Sequence, residues 1–570
     1  MSYKDNGNVE ITYRQSKPIS QSEYPGFEPS ASIIKKGTVH RTDGQPIPCD
    51  ILCERDVAVK LRDGTTIYTD IFRPLDEKNV PTLVAWSPYG KRGSVLSLDI
   101  FPGRMDVAPK EEDGLNKFEG PNPGYWVNHG YAIVHPDPRG VFNSDGNIHA
   151  WGKQEAEDEY DLIEWVAERE WSNGKVGLTG NSWLAISQWN VASYRPPHLS
   201  AIAPWEGACD IFRETCFKGG VPDFSFTEMI FSSFIGNTSY EDMPAMMRKY
   251  PLMNEYWEEK APTLENIEVP AYIVASYTNL LHTYGTFEGW QRISSKEKWL
   301  RIHNTFEWPD YYNPQHVEDL RKFFDYYLKS EQNGWNNTPK VRLAVLDPGH
   351  QDILNREEED FPLERQQLMK LYLDASSNTL SQDTVGKKAK IKYTADDKGV
   401  SFKVSFEQDM EIVGYMRLHL WVSTEDFNDM DVFAFVRKLD ASGKELPIKV
   451  INDRYYAGAS GRMRVSLRQL DTTKSTLEKP VQSFKTQEKI KPEEIIPVEI
   501  GFWPMGMKWH AGEQLELLIT GVELLKRPEF PEMSSSPYIN QGTHTIYTGE
   551  EYDSYLMIPV IPSGNHKCFS

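Results

Sequence analysis

A serine becomes a nucleophile where the chain turns sharply from a buried strand into a helix, because that turn lifts its hydroxyl to the edge of the sheet. The stretch Lys175-Val-Gly-Leu-Thr-Gly-Asn-Ser-Trp-Leu-Ala-Ile-Ser-Gln188 has this form. Lys175 to Thr179 reads as a strand, Gly180-Asn181-Ser182 as the turn, and about Trp183 to Ser193 as a helix whose free N–H groups face any oxyanion formed there. Ser182 is therefore the candidate nucleophile. The usual G-x-S-x-G string is incomplete, since Leu184 stands where the second Gly belongs and the small residue arrives at Ala185. The competing reading is a serine that only caps the helix.

Such a serine needs a base, and in this kind of site the partners follow in the order Ser, acid, His. Of the thirteen histidines, His282 and His303 come after Ser182 at strand ends. His303 is the preferred base: it closes the strand Trp299-Leu-Arg-Ile302, where a loop can carry it over the sheet edge. His282 follows the preceding strand and is the alternative.

The elements that must position these residues alternate between strand and helix. Val57 to Leu61 and Thr65 to Phe72 flank Asp63-Gly64, a hairpin signal. Thr82 to Trp86, Tyr131 to Val134, Ala271 to Val274 and Trp299 to Ile302 are short apolar runs, as buried parallel strands are. Helical patterns cover Glu157 to Glu170, Phe287 to Ile293 and Val317 to Leu328. The order predicts an α/β fold with a parallel sheet between helices. Residues 1–50 are polar and proline-containing and read as an extended arm, 51–206 and 263–338 as an α/β-hydrolase domain, and 207–262, rich in Phe and Met, as a helical cap. After Pro339 the period becomes two: Met416, Leu418, Leu420 and Val422 alternate with Arg417, His419, Trp421 and Ser423. Residues 339–570 are expected to form an all-β sandwich of the jelly-roll type.

Composition limits the partners. Acidic residues outnumber basic ones 83 to 62, a net charge of −21, which repels phosphate backbones and anionic membranes. No nucleic acid or membrane partner is expected, and the expected ligand is a small-molecule substrate, with a homodimer as a further option. The start of the chain lacks the apolar core of a signal peptide, and no run of about 18 apolar residues occurs, so a cytoplasmic location is expected. Cys49, Cys53, Cys209, Cys216 and Cys568 are sparse and odd in number, fitting buried thiols rather than a disulfide framework. No metal-binding, phosphate-loop or dinucleotide motif occurs, so no metal or cofactor is expected.

The chain resembles the cocaine esterase and X-prolyl dipeptidyl-peptidase family of acyl hydrolases over roughly residues 50–560. The resemblance rests on Arg62-Asp-Gly-Thr-Thr-Ile-Tyr-Thr-Asp-Ile-Phe-Arg-Pro74, Asp137-Pro-Arg-Gly140, Ser144-Asp-Gly146, Gly180 to Ala185, Val269 to Val274 leading to His303, Gly414 to Val422 and Trp509-His-Ala-Gly512. It implies Ser182 as nucleophile, His303 as base, and an oxyanion site made by the Tyr89 hydroxyl and the backbone N–H of Trp183. It also implies an Asp where this chain has Asn279, after Val269-Pro-Ala-Tyr-Ile-Val274. Asn279 can accept a hydrogen bond from His303 but cannot neutralise an imidazolium; Glu288 and Asp310 are alternative carboxylates near in sequence.

The expectation is a serine hydrolase that cleaves an ester or amide bond through an acyl-serine intermediate. An acyltransferase or cyclase using the same intermediate, or a catalytically weakened binding protein in which Asn279 replaces the acid, are the other readings.

Overall fold

A computed structural model describes residues 9–562 apart from 95, 397, 452–453, 457 and 526–538. The central sheet has eleven strands: β1 (Ser30–Ile34), β2 (Ile51–Lys60), β3 (Thr66–Pro74), β4 (Val80–Val84), β5 (Ala132–Asp137), β6 (Ser172–Asn181), β7 (Leu199–Trp205), β8 (Ala271–Ser276), β9 (Lys298–His303), β10 (Val341–Val345) and β11 (Ile353–Glu358). Their order across the sheet is β11-β10-β9-β8-β7-β6-β4-β5-β3-β2-β1. Strands β4 to β10 run parallel, and β1 to β3 and β11 join antiparallel. Every residue of β4, β5 and β8 is buried, as a strand covered on both faces requires.

Among the described helices are α1 (Gly152–Ala167), α2 (Trp183–Ala192), α3 (Phe224–Phe231), α4 (Met243–Lys249), α5 (Glu255–Glu259), α6 (Thr283–Arg292) and α7 (Pro314–Leu328). Helix α7 starts three residues ahead of the apolar pattern, because Asn313 Oδ1 accepts the Gln315 N–H at 2.9 Å and Pro314 takes the first helical position, where its missing N–H costs nothing. In the cap, α3, α4 and α5 are begun by Asp223, Asp242 and Asn254, each accepting a backbone N–H from three residues on. These caps satisfy orphan donors that such short helices could not leave unpaired.

Beyond Gln367 the described strands form a second, predominantly antiparallel sheet system. In Arg417–Thr424 the side chains of Leu418, Leu420 and Val422 are buried while Arg417, His419 and Trp421 are half-buried, the period-two pattern of the sequence.

Two stretches carry strands that the sequence did not indicate. Residues 341–358 supply β10 and β11 to the hydrolase sheet; Val341-Arg-Leu-Ala-Val345 is a buried run that extends β9 in parallel. The 1–50 arm is extended but built in: Ser30–Ile34 adds the edge strand β1, and Tyr13–Gln15 pairs with Ser239–Glu241 of the cap. Cys53, Cys209 and Cys216 are buried free thiols and Cys49 a half-buried one, whereas Cys568 lies outside the described residues. No helix among the described residues is long and apolar enough to cross a membrane.

Candidate active site

Ser182 joins β6 directly to α2 with φ 56° and ψ −119°, a positive φ that L residues adopt only under constraint. Its backbone N–H donates to the Glu206 carbonyl at 3.0 Å, while its carbonyl accepts from Ala185 and Ile186. Leu184 is accommodated because the close packing has moved one residue on. Gly207 lies against Ala185, where a Cβ on Gly207 would stand 2.8 Å from the Ala185 Cβ.

The parallel strands bring four chain segments to one edge. Asn181 is in register with Trp205 and Ser276 with His303, so Ser182, Glu206, the 277–282 turn and His303 all leave the sheet on the same side. Ser182 Oγ lies 3.1 Å from Nε2 of His282. His282 thus occupies the place expected of His303. The reason lies in the turn after β8: Asn279 Oδ1 accepts the N–H groups of Leu281 (2.9 Å) and His282 (3.1 Å). That tight turn starts α6 and swings the His282 ring over Ser182. Its Nδ1 accepts the Ala208 N–H at 3.2 Å.

His303 is held one strand away. Its Nε2 lies 2.5 Å from Glu206 Oε1, and its Nδ1 accepts the Thr305 N–H at 3.3 Å and stands 3.7 Å from Asp310. Asn279 does not touch His303; its Nδ2 donates to Glu206 Oε2 at 2.7 Å, beside the Ser276 hydroxyl at 3.0 Å. Burial alone would raise the Asp310 carboxyl, but the Arg301 guanidinium, then His303 and His316, hold it well below the usual range. Glu288, the other alternative carboxylate, pairs with Lys479.

Tyr89 follows β4 and is buried beside the Ser182 side chain. Burial, then the charge of Glu119, raises its hydroxyl well above the ordinary value, so it stays a neutral donor. Trp183 is the first residue of α2, so its N–H precedes the helical ladder. Its indole stacks on Trp151 at 4.1 Å and donates to Glu155 Oε1 at 2.7 Å; Trp86 donates to the same oxygen at 2.9 Å. Burial pushes the Glu155 carboxyl up to about 7.

This arrangement sits in a shared architecture. The crystal structure of a CocE/NonD family hydrolase from Staphylococcus aureus matches with a TM-score of 0.85 at 38% identity, over 90% of this chain and 94% of that one. The chain belongs to the CocE/NonD hydrolase family. Family models agree: residues 63–245 match the X-Pro dipeptidyl-peptidase (S15 family) and 333–557 the X-Pro dipeptidyl-peptidase C-terminal non-catalytic domain. This CocE/NonD protein is a serine hydrolase. Cocaine esterase from Rhodococcus sp. is 32% identical over 165 residues, which are 29% of this chain and a quarter (25%) of that enzyme's length. An aminopeptidase from a Thaumarchaeota archaeon shares the fold, with a TM-score of 0.66 at 14% identity over 89% of this chain and 96% of that one.

Sequence reasoning missed Glu206 in this hydrolase, although a signal was present. It directly follows the buried strand ending Ala203-Pro-Trp205, and parallel register with Asn181 makes it the neighbour of Ser182. With φ 56°, Glu206 turns as sharply off its strand as Ser182 does.

Proposed function

We propose that this hydrolase cleaves its ester or amide substrate through an acyl-Ser182 intermediate, with His282 as base and then acid. The observation that carries this reading is the 3.1 Å approach of His282 Nε2 to Ser182 Oγ at a strained strand-to-helix turn. His282 takes the Ser182 proton as Oγ attacks the carbonyl carbon, and returns it to the leaving oxygen or nitrogen. The Tyr89 hydroxyl and the Trp183 N–H receive the negative oxygen of the tetrahedral intermediate. Water, activated by His282, then releases the acyl group.

The Ala208 contact bears on the rate. A ring whose Nδ1 accepts an N–H carries its single proton on Nε2 and donates it to Ser182. To act as a base the ring must first move that proton to Nδ1 and part from Ala208. This favours, as a second reading, a weakened catalyst that holds its ligand longer than it turns it over. Intact mass after mixing with an activated ester tests the intermediate: one acyl group per chain on the native protein and none on Ser182→Ala supports it, and an adduct that persists in Ser182→Ala refutes it.

A further inference from the structure

Where the cap, the turn carrying the base and the β domain meet, a cavity of about 80 Å³ opens between them, several times the roughly 10–15 Å³ that one water needs. Its wall presents Arg213 and Lys218 from the cap and Arg462 and Lys479 from the β domain, and among the described residues no Asp or Glu lines it. In a chain of net charge −21, four cations facing one cavity run against the composition. Their carboxylate partners are Asp210 (2.6 Å from Arg213), Asp223 (3.9 Å from Lys218), Glu523 (2.5 Å from Arg462) and Glu288 for Lys479. None of these four lines the cavity, so the four basic residues line it while their balancing acids stand outside the lining. The buried Nε of Arg213 has no hydrogen-bond partner among the described residues.

Four of the other lining residues, Tyr284, Phe484, Phe502 and Trp503, are aromatic. Tyr284 and Trp503 face each other with ring centroids 6.2 Å apart, and Lys218 Nζ lies 5.9 Å from the Trp503 centroid. The junction is tied in place. Arg213 donates to the Gln482 carbonyl at 3.0 Å, Arg464 N–H to the Gly219 carbonyl at 2.8 Å, and a Cβ on Gly219 would strike the Arg462 carbonyl at 2.1 Å.

We propose that this junction is a binding site for an organic carboxylate with a planar apolar body, separate from the acyl-transfer site. The carboxylate enters among the four cations, where charge-assisted hydrogen bonds are strongest, and the planar body rests on Trp503 and Tyr284. Leu280 and Tyr284, both in the wall, stand two residues either side of His282, so occupancy also stiffens the turn that carries the proposed base.

Benzoate is the probe and benzamide its neutral counterpart, titrated calorimetrically into the full chain. The proposal expects saturable binding of one benzoate per chain and at least about tenfold weaker binding of benzamide. Arg462→Gln and Lys479→Gln, each shown folded by circular dichroism, are expected to weaken benzoate about tenfold or more. Enzyme whose serine has been capped by a fluorophosphonate is expected to bind benzoate unchanged. Equal affinity for benzoate and benzamide, measured on the native chain and so independent of any variant's folding, overturns the proposal. Loss of benzoate binding after capping overturns it too, by placing the anion in the acyl site.

Discussion

Glu206 Oε1 and His303 Nε2 lie 2.5 Å apart in the core, Glu206 directly after β7 and His303 at the end of β9, with β8 between the two strands. The pair braces the sheet edge from which Ser182 and His282 project, and Glu206 also receives the Ser182 N–H on its backbone carbonyl. Its geometry assigns it a supporting role, whereas the sequence pointed to His303 as the base.

Removing one member of such a buried pair leaves the other unpaired. Glu206→Gln is expected to destabilise the fold by about 3–5 kcal/mol, read as a lower urea midpoint with unchanged slope. A change below about 0.5 kcal/mol, the size of an ordinary surface substitution, would mean that the pair braces nothing.

Asn279→Asp is expected to give no gain in acylation, because residue 279 faces Glu206 and caps backbone rather than orienting a ring. It sets a second carboxylate against Glu206 Oε2, where Asn279 Nδ2 now donates at 2.7 Å. Like charges raise the folded pKa of the pair above its unfolded value. The penalty is therefore absent at low pH and grows as pH rises through the raised pKa. Thermal midpoints of variant and native protein should converge toward pH 4 and part toward pH 8; the opposite trend would contradict this geometry.

Tyr89→Phe removes the proposed oxyanion donor and leaves the ring packing against Phe118 and Trp183. A fall in kcat of about two to three decades with little change in KM is expected. Because burial keeps the native hydroxyl protonated, no loss of activity from Tyr89 ionisation is expected up to pH 10. A loss confined to KM would make Tyr89 a packing residue.

Glu155, which accepts the Trp183 indole N–H, supplies a pH signature. Its carboxyl is raised from 4.5 to about 7 by burial, so the folded state holds the proton more tightly than the unfolded one. The resulting stabilisation is full below 4.5 and is lost as pH rises through about 7, on the order of 3 kcal/mol. Glu155→Gln should flatten stability against pH over that interval; an unchanged profile would show that Glu155 is already ionised in the fold.

Much of this was legible in the sequence, for stated reasons. Apolar runs marked β4, β5, β6, β8 and β9 because parallel strands are buried on both faces, whereas β7 was not read from the sequence; Gly180-Asn181-Ser182 marked the elbow because a strand, a tight turn and a helix adjoin there. The choice between His282 and His303 was not legible. Both follow adjacent parallel strands, and what separates them is a side-chain cap, Asn279 on the N–H groups of 281 and 282, that reads in sequence as a substituted acid. The sheet's extension past Pro339 was hidden by a linker-like stretch, although Val341 to Val345 has the composition of one more buried strand.

The central claim is that His282, and not His303, serves Ser182. It is tested most directly by the rate at which a fluorophosphonate labels Ser182 in His282→Ala and in His303→Ala, each shown folded by circular dichroism. The account predicts that His282→Ala slows labelling by about three decades, within the range for a lost general base, while folded His303→Ala labels within about tenfold of the native rate. Native-like labelling of His282→Ala together with abolished labelling of His303→Ala would contradict it.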